Sequence, residues 1–311
     1  MDIHIDNVRQ LSRYLEAVYP RETPYWTSSI EKNLNRLVDK WILSGLSLHQ
    51  SSHFGLIINA RSSLYGDTII KMIPPFISRY SREKHSYIKL EPVYGSLLCK
   101  LFDWDDDASA LCLERLVPGK IPEYSTERKN ILNFFRSLSV AEKKHFTVSD
   151  GIFPSYREEL GKKKLSSQVD YRPDCVSEHL KRAVNLYDHY FGHSTQLFMH
   201  GDLHAYNLLI DKYSIKAIDP IGYYAPNGFE YVRFIGTELV EGQVLSENQL
   251  NSCISDFCEF VNAEELIAAL YIDVVFRMHN TFNENADRIL TMKWLSLLDL
   301  IFHEYKMLLS Y

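Results

Sequence analysis

The most informative stretch of the chain reads His200-Gly201-Asp202-Leu203-His204-Ala205-Tyr206-Asn207, and the apolar run Leu208-Leu209-Ile210 follows it. A strand-like segment, Ser214 to Ile218, then ends at Asp219. The pattern places a carboxylate, an amide five positions later and a second carboxylate beside a short strand. These groups are the minimum set of oxygen ligands for a nucleotide-bound divalent cation next to a general base. The sequence therefore indicates phosphoryl transfer.

Each of the three polar side chains has an expected role in that chemistry. A protein that transfers phosphoryl groups mainly positions the acceptor hydroxyl, holds metal ions and neutralises charge. We expect Asp202 to accept the hydroxyl proton as the catalytic base. Asn207 and Asp219 are the expected ligands of Mg²⁺, a hard cation that prefers oxygen donors.

The same stretch permits a second interpretation. His200, Asp202 and His204 alternate like the ligands of a metallohydrolase, in which they would bind Zn²⁺ and activate a water molecule. That interpretation leaves Asn207 and Asp219 without a role. Under the phosphoryl-transfer hypothesis, His200 is instead a buried residue that shapes the loop.

The N-terminal part of the chain predicts helix followed by strands. Residues 1 to about 50 have helical character, and Ser28-Ser29-Ile30-Glu31 resembles a capping box at the start of a helix. Phe54 to Ala60 and Thr68 to Ile73 predict a two-stranded ribbon, which Pro74-Pro75 ends.

A lysine lies inside the second of these strands. Lys71 is either the outward member of an alternating strand or a charge that holds the inner phosphates of ATP. Under the second interpretation, a helix from Ser78 to Leu90 supplies Glu83 as the partner of the ammonium group. Glu91 is the other candidate partner, but the proline that follows it disfavours a helical position.

Two further segments have expected contacts with a nucleotide. The turn Gln50 to Gly55 would cover the phosphates with backbone amides and with serine hydroxyls, including that of Ser52. Two antiparallel strands joined at Trp104-Asp105-Asp106-Asp107 lead to a connector between lobes. The backbone from Glu114 to Leu116 would there form the hydrogen bonds that read adenine.

The rest of the chain is predicted to be mainly helical. Glu123 to Leu197 shows helical spacing interrupted by a basic loop at Gly161-Lys162-Lys163-Lys164, and the region from Ser246 onward is also helix-rich. Several carboxylates of that last region are candidates for a cation-binding pocket. They are Asp256, Glu259, Glu264, Glu265, Asp273 and Glu284.

Composition limits the class of protein. The 311 residues are 46% hydrophobic and 13% aromatic, enough to bury a large core and to divide into two lobes. The five cysteines are odd in number and form no CxxC pair, which favours reduced thiols. The first residues carry acidic side chains and no long apolar run. We expect a soluble, cytoplasmic protein with no membrane partner.

Charge is divided unevenly along the chain. Residues 201–311 contain 16 Asp plus Glu against 7 Lys plus Arg, whereas the first 200 residues contain 24 against 27. An acidic surround attracts cationic molecules and repels nucleic acid. We therefore expect a small, cationic substrate and no nucleic-acid partner, and the sequence carries no signal for the oligomeric state.

These landmarks together resemble the aminoglycoside phosphotransferase superfamily, in particular its branch of streptomycin and hydroxyurea kinases. The resemblance covers nearly the whole chain and rests, in family order, on Asp39-Lys40-Trp41, the Lys71 strand ending in Pro74-Pro75, Leu113-Glu114-Arg115-Leu116-Val117-Pro118-Gly119, His200 to Asn207 and Ile218-Asp219-Pro220. It implies a bilobal protein-kinase-like fold, ATP as donor, Mg²⁺ and a small molecule with a phosphorylated hydroxyl. It also implies Asp202 as base, Asn207 and Asp219 as metal ligands, and Lys71 with Glu83 as the phosphate-holding ion pair.

The chain departs from that branch after Pro220. The branch continues to Gly-Asp-Pro and then an Asp, whereas Ala225-Pro226 and Glu230 occupy those positions here. We expect the acceptor to be an aminoglycoside such as streptomycin, and the departure makes a sugar, a ketosamine or an amino alcohol the alternative. A non-catalytic nucleotide-binding module would be expected to have lost at least one of four side chains. All four are present, namely Lys71, Asp202, Asn207 and Asp219.

The expected fold is α+β and bilobal. The N-lobe, residues 1–117, would contain a small antiparallel sheet, and the C-lobe, residues 118–311, would be mainly helical and contain the catalytic loop and the acceptor pocket. The expected function is that of an ATP- and Mg²⁺-dependent phosphotransferase.

Overall fold

The computed structural model describes residues 5–52, 55–142, 152–166, 174–212, 214–242, 245–283 and 288–310. The helices in these ranges are α1 (Ile5–Val18), α2 (Thr23–Trp41), α3 (Arg79–Tyr94), α4 (Tyr124–Glu142), α5 (Tyr156–Ser166), α6 (Asp174–Phe191), α7 (Phe229–Glu241), α8 (Glu247–Phe257), α9 (Ala263–Asn283) and α10 (Arg288–Glu304). The strands are β1 (Leu43–Ser52), β2 (Gly55–Ser62), β3 (Gly66–Met72), β4 (Leu101–Asp105), β5 (Ala110–Glu114), β6 (Pro118–Lys120), β7 (Leu197–Met199), β8 (Leu208–Asp211), β9 (Ser214–Ala217) and β10 (Tyr223–Ala225).

The chain divides into two compact units. Unit 1 comprises Met1–Lys120 and Ile210–Ile221, and unit 2 comprises Ile121–Leu209 and Gly222–Tyr311. This division differs from the predicted lobes because unit 1 takes in part of a hairpin from the later sequence. The hairpin strands β8 and β9 belong to a three-stranded sheet with β6, in which Pro118 pairs with Asp211.

Unit 1 is built on a five-stranded antiparallel sheet in the order β1-β2-β3-β5-β4. The predicted ribbon of two strands is confirmed as β2 and β3, with Ile58 opposite Ile70. Residues 43–52 form a strand, so the prediction of helix to about residue 50 is wrong there. Ile42 adopts a left-handed conformation that ends α2, and beyond it Leu46 and Leu48 alternate with polar residues as a strand requires.

The first two helices pack on this sheet. Leu34, Leu37 and Trp41 of α2 are fully buried in one cluster with residues of β2 and β3. The expected capping box does not start the helix, because α2 begins five residues earlier and has a proline in its first turn, where the missing N–H costs nothing. The Ser28 hydroxyl instead donates to the carbonyl of Tyr25 within the helix.

Helix α3 is longer than predicted. It continues through Pro92 to Tyr94, so Glu91 is helical after all. The predicted partner of the lysine, Glu83, lies in the second turn of this helix and is completely buried.

Unit 2 is mainly helical, with β7 and β10 as a small antiparallel pair. Aromatic rings form much of its core; Phe135, for example, contacts Tyr231, Phe234 and Phe257 edge to face. The predicted basic loop at 161–164 is part of α5, so that prediction is wrong; its three lysines are good helix formers and outweigh the single glycine. No helix in the described ranges is long and apolar enough to span a bilayer.

The sheet of unit 1 depends on the buried face of α2, and this can be tested with a matched pair of leucines. Leu34→Ala removes a completely buried side chain and should lower the free energy of unfolding by about 2–5 kcal/mol, since it leaves a cavity. Leu64→Ala is the control, because that leucine is 55% exposed. Denaturant titrations with equal losses for both variants would contradict the assignment of α2 to the core.

Candidate active site

The predicted phosphate-holding residues meet inside unit 1. The ammonium of Lys71 lies 2.8 and 2.9 Å from the two carboxylate oxygens of Glu83. It also lies 2.9 Å from Oδ2 of Asp219. The structure thus brings together three residues that the sequence separates by up to 148 positions, and their role toward a nucleotide stays a prediction.

Local structure fixes each member of this cluster. Lys71 lies on the central strand β3, and Glu83 on α3. Asp219 follows β9 in a left-handed backbone conformation, with φ of 60°, and its N–H donates to the hydroxyl of Tyr87 at 3.1 Å. Arg79, one turn before Glu83, adds a second cation at 3.5 Å from the Glu83 carboxylate and 3.9 Å from that of Asp219.

Sequence reasoning missed Arg79 and Tyr87. The signal was present, because these two residues flank Glu83 at intervals of four and so share one face of α3. Once Glu83 is selected as the partner of a lysine, the same face becomes the place to look for further polar contacts.

Burial governs the electrostatics of the cluster. Burial raises the pKa of Glu83, and the ammonium of Lys71 opposes that rise. The side chains of Lys71 and Glu83 are almost completely enclosed, whereas that of Asp219 is 25% exposed. Asp219 is therefore the carboxylate of the pair that a ligand can reach, which fits an oxygen donor for a hard divalent cation.

Glu114 and Leu116, the two residues expected to contact adenine, differ in whether their backbone groups already have hydrogen-bond partners. The N–H of Glu114 donates to the Lys100 carbonyl at 2.9 Å, and the Glu114 carboxylate binds Lys216 at 2.7 Å. Glu114 is thus occupied by structural contacts. Leu116 is buried, and its backbone N–H and carbonyl have no hydrogen-bond partner among the described residues, so of the two it is the better candidate to bind a base.

The last predicted nucleotide contact falls at the β1–β2 connection. Ser52 ends β1 opposite Gly55. Its side chain, like residues 53–54, lies outside the described residues.

The predicted base lies in unit 2, on the loop after β7. Gly201 takes a left-handed conformation, with φ of 80°, and a side chain there would collide with the ring of Tyr223 at 2.6 Å. His200 is fully buried and accepts the N–H of Asp202 on Nδ1 at 3.3 Å. The loop is further fixed by Glu230, whose carboxylate accepts the His200 N–H at 3.1 Å. Glu230 therefore provides a carboxylate beneath the loop, although the family resemblance led us to expect an Asp.

The Asp202 carboxylate is held by two arginines. Arg233 Nε donates to Oδ1 at 3.0 Å, and Arg277 Nη1 lies 3.5 Å from the same oxygen. His204 Nε2 lies 3.6 Å from Oδ2. Burial alone would raise the pKa of Asp202, but the charges of Arg233 and Arg277 and the contact with His204 hold that pKa well below its usual range. Asp202 is therefore ionised at neutral pH.

A chain of contacts continues from these arginines into the helices. Arg277 Nε donates to Oδ1 of Asp273 at 3.4 Å, and the same oxygen accepts the Tyr156 hydroxyl at 2.6 Å. Of the six carboxylates considered as pocket residues, Asp273 is the one that this chain links to Asp202. Asp256 pairs with Arg128 and Glu259 with Arg136, while the side chain of Glu284 lies outside the described residues.

Sequence reasoning missed Arg233, Arg277 and Tyr156. Arg277 follows Asp273 by four positions, a spacing that predicts an ion pair on one helix face. No local pattern connects Arg233 or Tyr156 to the loop, because those contacts depend on how distant helices pack.

The side-chain amide of Asn207, the other predicted metal ligand, is held by the loop. Asn207 ends a short 3-10 helix, Ala205–Asn207, and its Nδ2 donates to the carbonyl of Asp202 at 2.8 Å. The amide nitrogen is thereby engaged, and the side-chain oxygen has no hydrogen-bond partner among the described residues. Its role as a ligand of a cation stays a prediction.

The metallohydrolase interpretation gains no support from this arrangement. Within the described part of the chain, no three His, Cys, Asp or Glu side chains are placed to hold a metal ion. His200 uses Nδ1 to accept the N–H of Asp202 within the loop.

Comparison with known proteins shows the fold. No family model matches the chain, and no curated protein matches its sequence. Solved structures do match. A choline/ethanolamine kinase family protein from Mesorhizobium loti has a TM-score of 0.63 at 10% identity, covering 89% of this chain and 98% of that one.

Two other solved structures give the same result. The choline kinase LicA from Streptococcus pneumoniae has a TM-score of 0.63 at 11% identity, covering 91% of this chain and 99% of that one. The aminoglycoside phosphotransferase APH(4)-Ia, in a ternary complex with ADP and hygromycin B, has a TM-score of 0.60 at 12% identity, covering 86% and 97%. The chain therefore has the bilobal α+β fold of these kinases and phosphotransferases, as predicted.

The ion cluster of unit 1 predicts strong coupling between Lys71 and Glu83. Lys71→Met leaves the buried Glu83 with Arg79 alone, and Glu83→Gln leaves Lys71 with Asp219 alone. Because each variant removes the main partner of a buried charge, each should lower the free energy of unfolding, by up to about 3–5 kcal/mol. The double variant should lose less than the sum of the two, and urea titrations of the four proteins measure the difference.

The exposed pair Arg136 and Glu259 is the control for this cycle, because its side chains are 52% and 44% accessible. Its coupling should be no more than about 1 kcal/mol. Additive losses for Lys71 and Glu83 would show that they do not form the buried pair.

Proposed function

We propose that the chain is an ATP- and Mg²⁺-dependent phosphotransferase that phosphorylates a hydroxyl of a small molecule. The observation that carries this proposal is the buried cluster of Lys71, Glu83 and Asp219 in a kinase-like fold. An enclosed lysine held by two carboxylates is costly to bury, and one of those carboxylates stays accessible. Such a cluster is suited to bind phosphates and their metal ion.

The remaining roles follow from the loop after β7. In the proposed reaction, Asp202 orients the acceptor hydroxyl and takes its proton, the hydroxyl oxygen bonds to the γ-phosphorus, and the bond to the β-phosphate oxygen breaks to release ADP. Asn207 and Asp219 would hold Mg²⁺, which when bound neutralises charge on the phosphate oxygens. Chain connectivity supports their joint action, since these two residues flank one β-hairpin, β8–β9.

The low pKa of Asp202 is compatible with this role. In a loose transition state the attacking hydroxyl keeps its proton until late, so the base mainly orients it and need not have high proton affinity. The two arginines keep Asp202 ionised and fixed in position, which provides the orientation in advance.

For the acceptor, we propose a class of molecule and no single compound. Solved structures that share the fold include choline kinases and a phosphotransferase complex with hygromycin B. These neighbours support an amino alcohol as much as an aminoglycoside such as streptomycin, and a sugar or ketosamine stays a candidate. Membership of the streptomycin and hydroxyurea branch, a cationic acceptor and a cytoplasmic location stay predictions.

The role of Asp202 can be tested by a nearly isosteric substitution. Asp202→Asn retains an oxygen that accepts from Arg233 but cannot take a proton, so turnover should fall by about 10²-fold or more. Nucleotide affinity should change little. Steady-state kinetics with the best acceptor from a screen of aminoglycosides, amino sugars and amino alcohols measures the first quantity, and equilibrium titration measures the second.

Asp211→Asn is a matched control for this substitution. Asp211 is a carboxylate bound to Lys216 at 3.3 Å on β8, and its replacement should leave turnover close to that of the parent. If Asp202→Asn turns over at the parental rate, Asp202 is not the base.

A further inference from the structure

Arg233 presents a partly used guanidinium beside the reacting carboxylate. Its Nε donates to Asp202 Oδ1 at 3.0 Å, whereas its two Nη groups have no hydrogen-bond partner among the described residues. The side chain is 16% exposed, and neither Nη atom is among the enclosed atoms that lack a partner. Part of the Arg233 side chain is thus accessible beside Asp202.

Arg277 differs from Arg233 in this respect. Each of its three nitrogens has a partner: Nη1 contacts Asp202, Nε donates to Asp273, and Nη2 donates to the Gly201 carbonyl at 3.4 Å. Arg277 thus neutralises two carboxylates and fixes the loop. Each nitrogen of Arg277 already contacts a protein oxygen, whereas two nitrogens of Arg233 do not, so Arg233 is the arginine better placed to bind a ligand.

Local charge favours an anion at this position. The carboxylates of Asp202 and Asp273 each contact guanidinium groups, so a cationic substituent beside Arg233 would meet a positive charge there. Burial lowers the pKa of Arg233, and the neighbouring charge of Arg277 lowers it further. An anion beside Arg233 would relieve that repulsion.

We propose, on the basis of the function proposed above, that the acceptor carries a carboxylate or a phosphate next to the hydroxyl that is phosphorylated, and that Arg233 binds this anion through its two Nη groups. The planar fork of a guanidinium matches both anions in a bidentate manner. The bond from Nε to Oδ1 fixes the direction of the fork. Oδ2 of Asp202 remains to receive the hydroxyl proton.

This inference concerns a different part of the acceptor from the acidic balance of residues 201–311. Those carboxylates are spread over the helices of the C-terminal half, whereas Arg233 lies at the reacting carboxylate itself. The charge balance predicts a cationic group elsewhere on the acceptor, and Arg233 predicts an anionic group beside the hydroxyl.

Matched acceptor pairs test the proposal. Glycerate against glyceramide, serine against serinamide, gluconate against gluconamide, and glycerol phosphate against glycerol each differ in the anion but keep a hydroxyl. The anionic member of at least one pair should have a kcat/KM about 10- to 100-fold higher, as expected for a charge-assisted bidentate contact. The pair that responds distinguishes a carboxylate from a phosphate.

Variants connect that preference to one side chain. Arg233→Gln should abolish it, and Arg233→Lys, which keeps the charge near Asp202 but lacks the fork, should retain a small part of it. Arg136→Gln, at an exposed position of unit 2, should keep the full preference. Thermal melting of each variant confirms that the protein is folded.

A binding measurement without ATP separates this inference from the proposed function. Calorimetric titration of the parent with the same pairs should show tighter binding of an anionic member, and Arg233→Gln should lose the difference. Anion binding with no phosphoryl transfer would overturn the proposed function alone. Equal affinity within every pair, transfer only to neutral or cationic acceptors, or an equal loss for all acceptors in Arg233→Gln would overturn the role of Arg233.

Discussion

A lysine ammonium group buried in a β-sheet is the constraint on which the rest of unit 1 depends. Lys71 lies on the middle strand with almost no exposure, and an ammonium group in such a place requires carboxylate partners. Glu83 supplies one from α3, and Asp219 supplies the other from the segment after β9. One charge thus connects the sheet, the helix and the hairpin end that carries the proposed metal ligand.

Unit 2 also holds a charge that opposite charges compensate, but there the central charge is negative and its partners are positive. Asp202 is an ionised carboxylate on a tight loop, and two arginines from α7 and α9 compensate it. The geometry of the loop depends on Gly201, which has no room for a side chain against Tyr223. In both units a residue proposed to act in the reaction is held in place by an opposite charge distant in sequence, Asp219 by Lys71 and Asp202 by two arginines. Such contacts lower the cost of orienting these residues during a reaction.

The sequence predicted the parts of this arrangement that local patterns encode. The ribbon around Lys71, the α3 partner Glu83 and the loop from His200 to Asn207 each carry a motif or a periodicity. It did not predict β1, whose pattern begins only after Ile42 breaks the preceding helix, or the helical state of residues 161–164. Arg233 and Tyr156 could not be found, because packing of helices distant in sequence brings them to Asp202 and Asp273. Nor did the sequence predict that the backbone N–H of Glu114 already donates a hydrogen bond to Lys100, since strand pairing determines that contact.

The proposal for unit 1 is that the Lys71 cluster binds a magnesium nucleotide through Asp219. Its most direct test is calorimetric titration of the full chain with a non-hydrolysable imido analogue of ATP, with and without Mg²⁺, for the parent and for Asp219→Asn. Mg²⁺ should tighten binding to the parent, and the variant should lose this gain. Affinity that is independent of Mg²⁺ in the parent, or a gain that persists in Asp219→Asn, would contradict it.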